Sequence, residues 1–159
     1  MKHLFSFLLM TILHVQISSA QNFFDRASKH TWNGKGELLG SKASFKMQWE
    51  PILDGKFYQL TFQNQRDQSK EFVFKAKGIY QLKENNRIVG TWFDSRGFSF
   101  PLKGTISENI LTIFWGTPEI EEGKTVYHIT KSNTILTNDF ILRDGDLQKF
   151  GNAIYEPTN

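Results

Sequence analysis

Two histidines, His30 and His128, are the first candidates for acid–base or metal chemistry beyond the apolar N-terminus of the chain. Imidazole titrates close to neutral pH and is a common metal ligand. His30 lies in a polar stretch and is expected on the surface. His128 lies in the strand-like run 125–130, where a histidine more often packs than reacts. His128 is nevertheless the best single candidate for a ligand or base role, and we also consider it as a polar anchor for a bound molecule.

Other patterns that would identify an enzyme are missing from the sequence. It contains no metalloprotease, nucleophile-elbow, phosphate-loop or calcium-loop motif. It contains no cysteine, which excludes disulfides, thiol catalysis and cysteine-ligated zinc. Asp94 opens the turn Ser95-Arg96-Gly97, and a side-chain turn bond is its simplest interpretation. We predict no catalytic residue and no metal site, and the sequence leaves open whether the protein is an enzyme.

The N-terminus predicts export. A short basic start is followed by the apolar run Leu4–Val15 and then by the small residues Ser18-Ser19-Ala20. This order is typical of a secretory signal peptide cleaved after Ala20, and the apolar run is short for a membrane span. We expect residues 1–20 to be a signal peptide and residues 21–159 to form one domain. The lack of cysteine and of glycosylation sites favours a bacterial protein in the periplasm or the medium.

Alternation of apolar and polar residues with a period of two runs through the rest of the chain. Examples are the stretches 44–50, 58–63, 72–77 and 98–103. This pattern predicts strands with one buried face, and turn residues separate the strands at short intervals. We expect about ten strands between Trp32 and Tyr155, in an antiparallel up-and-down barrel of the lipocalin-like, calycin type. Closure leaves no sticky edge, and a sandwich is the alternative. Residues 22–30 are expected to form a short helix at one end.

The interior of such a barrel can hold a small molecule if its axis is not filled. The chain is rich in aromatic residues, with 15 Phe, 4 Trp and 4 Tyr. The predicted lining depends on which face of each strand points inward. The candidate ligand-binding residues are Met47, Trp49, Tyr58, Leu60, Phe72, Phe74, Trp92 and Phe114, with His128 and Arg143 as polar anchors.

Four segments follow one another along the chain: Trp32-x-Gly34-x-Gly36, Met47-x-Trp49 with the following 53–57 hairpin, Gly90–Ser95, and Asp144-Gly145 with the last strand. Together they resemble segments of the nitrobindin-like and related lipocalin-like bacterial barrels, many of them uncharacterised. The resemblance implies a barrel of about ten strands with an internal cavity. Nitrobindin-like members bind heme through a histidine in the closing strands. Residues 139–159 contain no histidine, so we do not carry heme over as a cofactor.

Three hypotheses follow from these patterns. The leading one is an exported, non-catalytic barrel that binds a small apolar or amphipathic molecule. The second is an enzyme in the same barrel, either an isomerase or a heme-dependent activity that uses His128. The third is a protein-interaction module with a filled barrel, which would bind through Phe23, Phe24 or the loop 115–118. Charges of both signs are interspersed and the net charge is only +3, so no nucleic-acid partner is expected.

Overall fold

The computed structural model describes residues 19–67 and 73–158. Within these ranges the chain forms one α-helix, a single 3₁₀ turn at Glu84–Asn86, and ten strands that close into a barrel. The elements are α1 Ser19–Ala27, β1 Thr31–Leu38, β2 Ser41–Ile52, β3 Phe57–Arg66, β4 Phe74–Leu82, β5 Arg87–Asp94, β6 Ser99–Ser107, β7 Ile110–Thr117, β8 Glu121–Ile129, β9 Ile135–Arg143 and β10 Asp146–Thr158.

Each strand pairs antiparallel with the strands before and after it in sequence, and β10 returns to pair with β1. The closing pair runs in continuous register from Thr31 opposite Thr158 to Leu38 opposite Gly151. Closure satisfies the backbone of every strand on both sides, so no edge is left to recruit another chain. The predicted ten-stranded up-and-down barrel with a short N-terminal helix is confirmed.

The helix covers one end of the barrel and begins and ends three residues earlier than the predicted range 22–30. It ends at Ala27, whose carbonyl oxygen accepts a hydrogen bond of 2.8 Å from Trp32 Nε1. Since Thr31 already pairs with both β2 and β10, the chain must be extended by that point. Arg26 fixes the helix by donating to Asn109 Oδ1 at 3.0 Å and to the Thr130 carbonyl at 2.8 Å.

An aromatic cluster fills the half of the barrel beneath the helix. Phe23 and Phe24 have no exposed surface, and both rings approach the buried indole of Trp49 edge-on. Phe24 also stacks on Tyr58 with a centroid separation of 4.0 Å. Edge-to-face and offset-stacked pairs of this kind stabilise beyond the area they bury. This half of the axis is a solid core, and the opposite half is not.

The predicted signal peptide lies almost entirely outside the described residues, which begin at the predicted cleavage position, within α1. The described residues contain no helix with the length and apolar character that a membrane span requires.

Candidate functional site

The open half of the barrel encloses a cavity of about 580 Å³. Its walls are largely aromatic and aliphatic, and ten polar or charged side chains of the described residues also line it: Asn64, Arg66, Arg96, Glu121, Thr125, Thr137, Asp139, Arg143, Gln148 and Lys149. This volume lies within the range of roughly 300–1,000 Å³ that is typical of small-molecule sites. The aromatic side chains that line the cavity are Phe45, Phe62, Phe74, Trp92, Phe100, Trp115 and Phe150, together with three tyrosines.

The three tyrosines, Tyr80, Tyr127 and Tyr155, line the cavity with little exposed surface. Burial raises the pKa of all three phenols, so each stays neutral and can donate a hydrogen bond at physiological pH. The ring of Tyr155 lies across Gly34 on β1, where an added Cβ would come within 2.7 Å of the ring. The glycine therefore positions a cavity-wall tyrosine, which explains one glycine of the Trp-x-Gly-x-Gly segment.

A hydrogen-bonded chain of three side chains leads to a carboxylate in the cavity wall. Trp115 Nε1 donates to Thr125 Oγ1 at 3.2 Å, and Thr125 Oγ1 donates to Asp139 Oδ1 at 2.7 Å. The indole can only donate, so the threonine oxygen accepts from it and its own proton is directed at the carboxylate. All three residues line the cavity. These two hydrogen bonds hold the Asp139 carboxylate in place. When ionised, the carboxylate can only accept hydrogen bonds.

Asp139 is enclosed by protein, and the surface it keeps faces the cavity. Burial raises its pKa from 3.8 to about 6, against the opposing effects of the Thr125 hydrogen bond and the charge of Lys149. Desolvation disfavours the charged form of an acid, which gives this direction. The carboxylate is nevertheless ionised above neutral pH. It is therefore a negative charge held in a largely apolar chamber.

The indole of Trp115 reaches Thr125 because β8 carries a glycine beneath it. A Cβ at Gly123 would lie 2.2 Å from Trp115 Cζ2 and 2.3 Å from the Phe140 carbonyl oxygen. Any side chain at this position would displace the indole or the neighbouring strand. A bulge in β10 between Lys149 and Gly151 has a related effect, since it lets the consecutive residues Lys149 and Phe150 both line the cavity.

Arg96 lies at the cavity mouth and joins two turns. Its Nη2 lies 2.7 Å from Asp94 Oδ2 and 2.7 Å from Glu121 Oε1, and its guanidinium is 5.2 Å from the ring centre of Phe98. Burial would raise the pKa of Asp94, but the hydrogen bonds and charge of Arg96 outweigh burial and lower it. Asp94 Oδ1 also accepts from the Arg96 backbone amide at 2.8 Å, which confirms its predicted turn-bonding role.

The predicted ligand-binding residues fall into four groups. Three of them, Phe74, Trp92 and Arg143, line the cavity. Four point inward but belong to the solid half beneath the helix, or to its boundary with the cavity; these are Met47, Trp49, Tyr58 and Leu60. Phe72 lies outside the described residues. The remaining two, Phe114 and His128, point outward.

The inward orientation expected for Phe114 and His128 is wrong. Phe114 is 52 % exposed on the outer face of β7, and His128 is exposed on β8. On β7 both faces carry large apolar side chains, so alternation alone does not show which face is buried, and a one-residue error reverses the assignment. In the structure Leu111, Ile113 and Trp115 face the axis instead.

Sequence reasoning missed the polar part of the site, namely Thr125, Thr137 and Asp139. On β9 the buried Ile135 and Thr137 are in phase with Asp139, which marks the carboxylate as inward-facing. The alternate face also carries apolar residues, including Leu136 and others further along the strand. The alternation does place Asp139 on the same face of β9 as the buried Ile135, which indicates that the carboxylate points inward. The apolar residues on the other face of the strand obscure this indication.

The residues present do not fit a heme bound through histidine. Neither of the two histidines in the described ranges, His30 and His128, lines the cavity. Residues 19–67 and 73–158 also place no three histidine or carboxylate side chains where they could hold a metal ion. Part of the surface that the interaction hypothesis names is not open to a partner. Phe23 and Phe24 are fully buried, and Trp115 lines the cavity.

Comparison with known proteins supports the fold alone. No family model matches the chain, and no curated protein matches it in sequence. The crystal structure of Rv2717c from M. tuberculosis is similar, with a TM-score of 0.69 over 91 % of this chain and 100 % of that one, at 12 % identity. This likeness supports a barrel of the calycin type. Membership of the nitrobindin-like family stays a prediction.

Proposed function

We propose that this barrel binds a small amphipathic molecule in the open half of its interior. The observation that carries the proposal is the cavity itself, about 580 Å³ of space walled by aromatic side chains in a chain whose other half is solidly filled. Interiors are normally packed to high density, and an unfilled chamber of this size forgoes stabilising contacts. A ligand that occupies the chamber restores those contacts by burying its own apolar surface.

The polar groups of the wall give the site its amphipathic character. The lining includes the charged side chains of Arg66, Arg96, Glu121, Arg143 and Lys149, together with Asp139 and the three tyrosines. A few fixed polar groups in an apolar cavity orient a ligand and discriminate among ligands. The open cavity disfavours the alternative of a filled interaction module. The enzyme alternative has no histidine in the described cavity wall to support it.

We also propose that the protein is exported after removal of residues 1–20, and that it acts as a carrier or receptor outside the cytoplasm. The support is the sequence pattern of the first twenty residues, a basic start followed by an apolar run and small residues at Ala20.

Ligand binding is tested with Nile red, a neutral dye that fluoresces in apolar surroundings. We expect the refolded protein to bind it, and we expect Ile141→Trp to weaken binding at least tenfold because Ile141 lines the cavity and the larger indole takes up space that the dye would occupy. Ile154→Trp is the matched control, since Ile154 is 55 % exposed on the outer face. Equal binding by the two variants would place the dye outside the cavity and contradict the proposal.

A further inference from the structure

Asp139 has an acceptor atom for which the protein supplies no donor. Its Oδ1 accepts from Thr125, whereas no group in the ranges 19–67 and 73–158 donates to Oδ2. Across the β9–β10 pair, Gly151 faces Asp139, and a Cβ there would crowd both Oδ2 at 3.3 Å and Leu38 Cδ1 at 3.4 Å. The glycine therefore leaves Oδ2 uncovered, in a residue that lines the cavity. A buried carboxylate is costly unless its remaining lone pairs are satisfied.

The charges around Asp139 leave the carboxylate without an ion-pair partner. The titratable groups that act on it are Lys149 and Tyr155 on β10 and Tyr127 on β8. Both tyrosines are neutral, because burial raises the pKa of each phenol. Lys149 is exposed, and its charge opposes the rise in the pKa of Asp139 without forming a salt bridge to it within the described ranges. Arg66 and Arg143 also line the cavity, and neither of them forms a salt bridge with Asp139 there. Among the described residues the Asp139 carboxylate therefore has no salt-bridge partner.

The aromatic walls of the cavity also suit a cation. Trp115, Trp92 and Phe62 all line it. The negative faces of such rings attract organic cations, and indole does so most strongly. A carboxylate together with an aromatic wall is a general arrangement for recognising an amine attached to an apolar body.

We propose that the cavity ligand carries a protonated amine, which binds Asp139 while its apolar body lies among the aromatic side chains. This inference rests on the proposed function and names the chemical class of its ligand. Thr125, held by Trp115, occupies Oδ1 and leaves Oδ2 of this cavity-wall carboxylate as the acceptor. An ammonium group at Oδ2 forms a charge-assisted hydrogen bond with an oxygen that otherwise has none.

The test compares three naphthalene probes that differ only in the head group: naphthylethylamine, naphthylethanol and naphthylacetic acid. Each displaces Nile red from the refolded protein at pH 8. We expect the amine to bind at least about tenfold more tightly than the alcohol, as a charge-assisted hydrogen bond implies. In Asp139→Asn the amine and the alcohol should bind equally, and the outer-face variant Ile154→Trp should keep the preference.

A second measurement does not depend on any variant folding. As the pH falls from 8 to 5, Asp139 takes up a proton, so amine affinity for the parent protein should fall about tenfold while alcohol affinity stays constant. An amine that binds no better than the alcohol, or an acid that binds best, would overturn the inference and leave Nile red binding intact. Failure of Nile red and all three probes to bind would overturn the proposed function as well.

Discussion

Replacing Asp139 with asparagine should stabilise the protein, and the gain should depend on pH. Asparagine keeps the shape of the side chain and an oxygen that can accept from Thr125, but it carries no charge. In the folded protein the pKa of Asp139 is raised from 3.8 to about 6 because the group is buried. At about 1.4 kcal/mol per pH unit, keeping this carboxylate ionised costs the folded state about 3 kcal/mol.

The direction follows from proton binding in the two states. Between pH 4 and 6 the folded protein holds a proton on Asp139 that the unfolded chain has already lost, so the free energy of unfolding decreases as the pH rises through this window. Asp139→Asn lacks this dependence. Its stability relative to the parent should therefore be about 2.5 kcal/mol higher at pH 7.5 than at pH 4, since at pH 4 the unfolded carboxyl is already partly ionised.

Urea denaturation at the two pH values measures this difference, using protein refolded from denaturant so that no bound molecule contributes. Every group the two proteins share cancels when the variant is compared with its parent. Asp146→Asn is the matched control, because it removes a carboxylate from the exposed start of β10 rather than from the interior of the barrel. A difference between Asp139→Asn and the parent that is the same at both pH values would refute the account of Asp139 as a buried, destabilising charge.

Further substitutions test how the N-terminal helix packs on the barrel and how the cavity wall is built, and sequencing of the N-terminus tests export. Phe24→Ala should cost about 3–5 kcal/mol in urea unfolding, because the ring is fully buried, whereas Phe114→Ala on the outer face should cost less than about 1 kcal/mol. Gly123→Ala should cost about 1–3 kcal/mol and shift the tryptophan emission, since the new methyl group displaces the Trp115 indole; unchanged emission would contradict this contact. Terminal sequencing of the exported protein should show cleavage after Ala20.

The fold was predictable because it depends on a local and repeated signal. Alternation in segments such as 44–50 and 58–63 sets strand positions, and short turns restrict each strand to pair with its neighbour in sequence. The end that the helix covers could also be expected from its place before β1. Its boundaries could not, because they depend on the Trp32 indole reaching the Ala27 carbonyl across a turn.

The site was less predictable because it depends on side chains that meet only after closure. Asp139, Thr125 and Trp115 come from three strands, and no spacing in the sequence relates them. Alternation does not distinguish the solid half of the axis from the open half, so Trp49 and Trp92 were assigned to one lining although only Trp92 faces the cavity. Phe24 fills the half of the barrel beneath the helix, and this could be predicted only if the position of α1 on the barrel were known.

The most direct test of the account is native mass spectrometry of the folded protein purified from cells that express the full sequence. The account predicts an extra mass on the folded protein that is lost on denaturation, and that is lost or strongly reduced in Ile141→Trp, whose larger side chain projects into the cavity. A folded protein that shows only the mass of its polypeptide, from every preparation and under gentle ionisation, would contradict the claim that the barrel carries a small molecule.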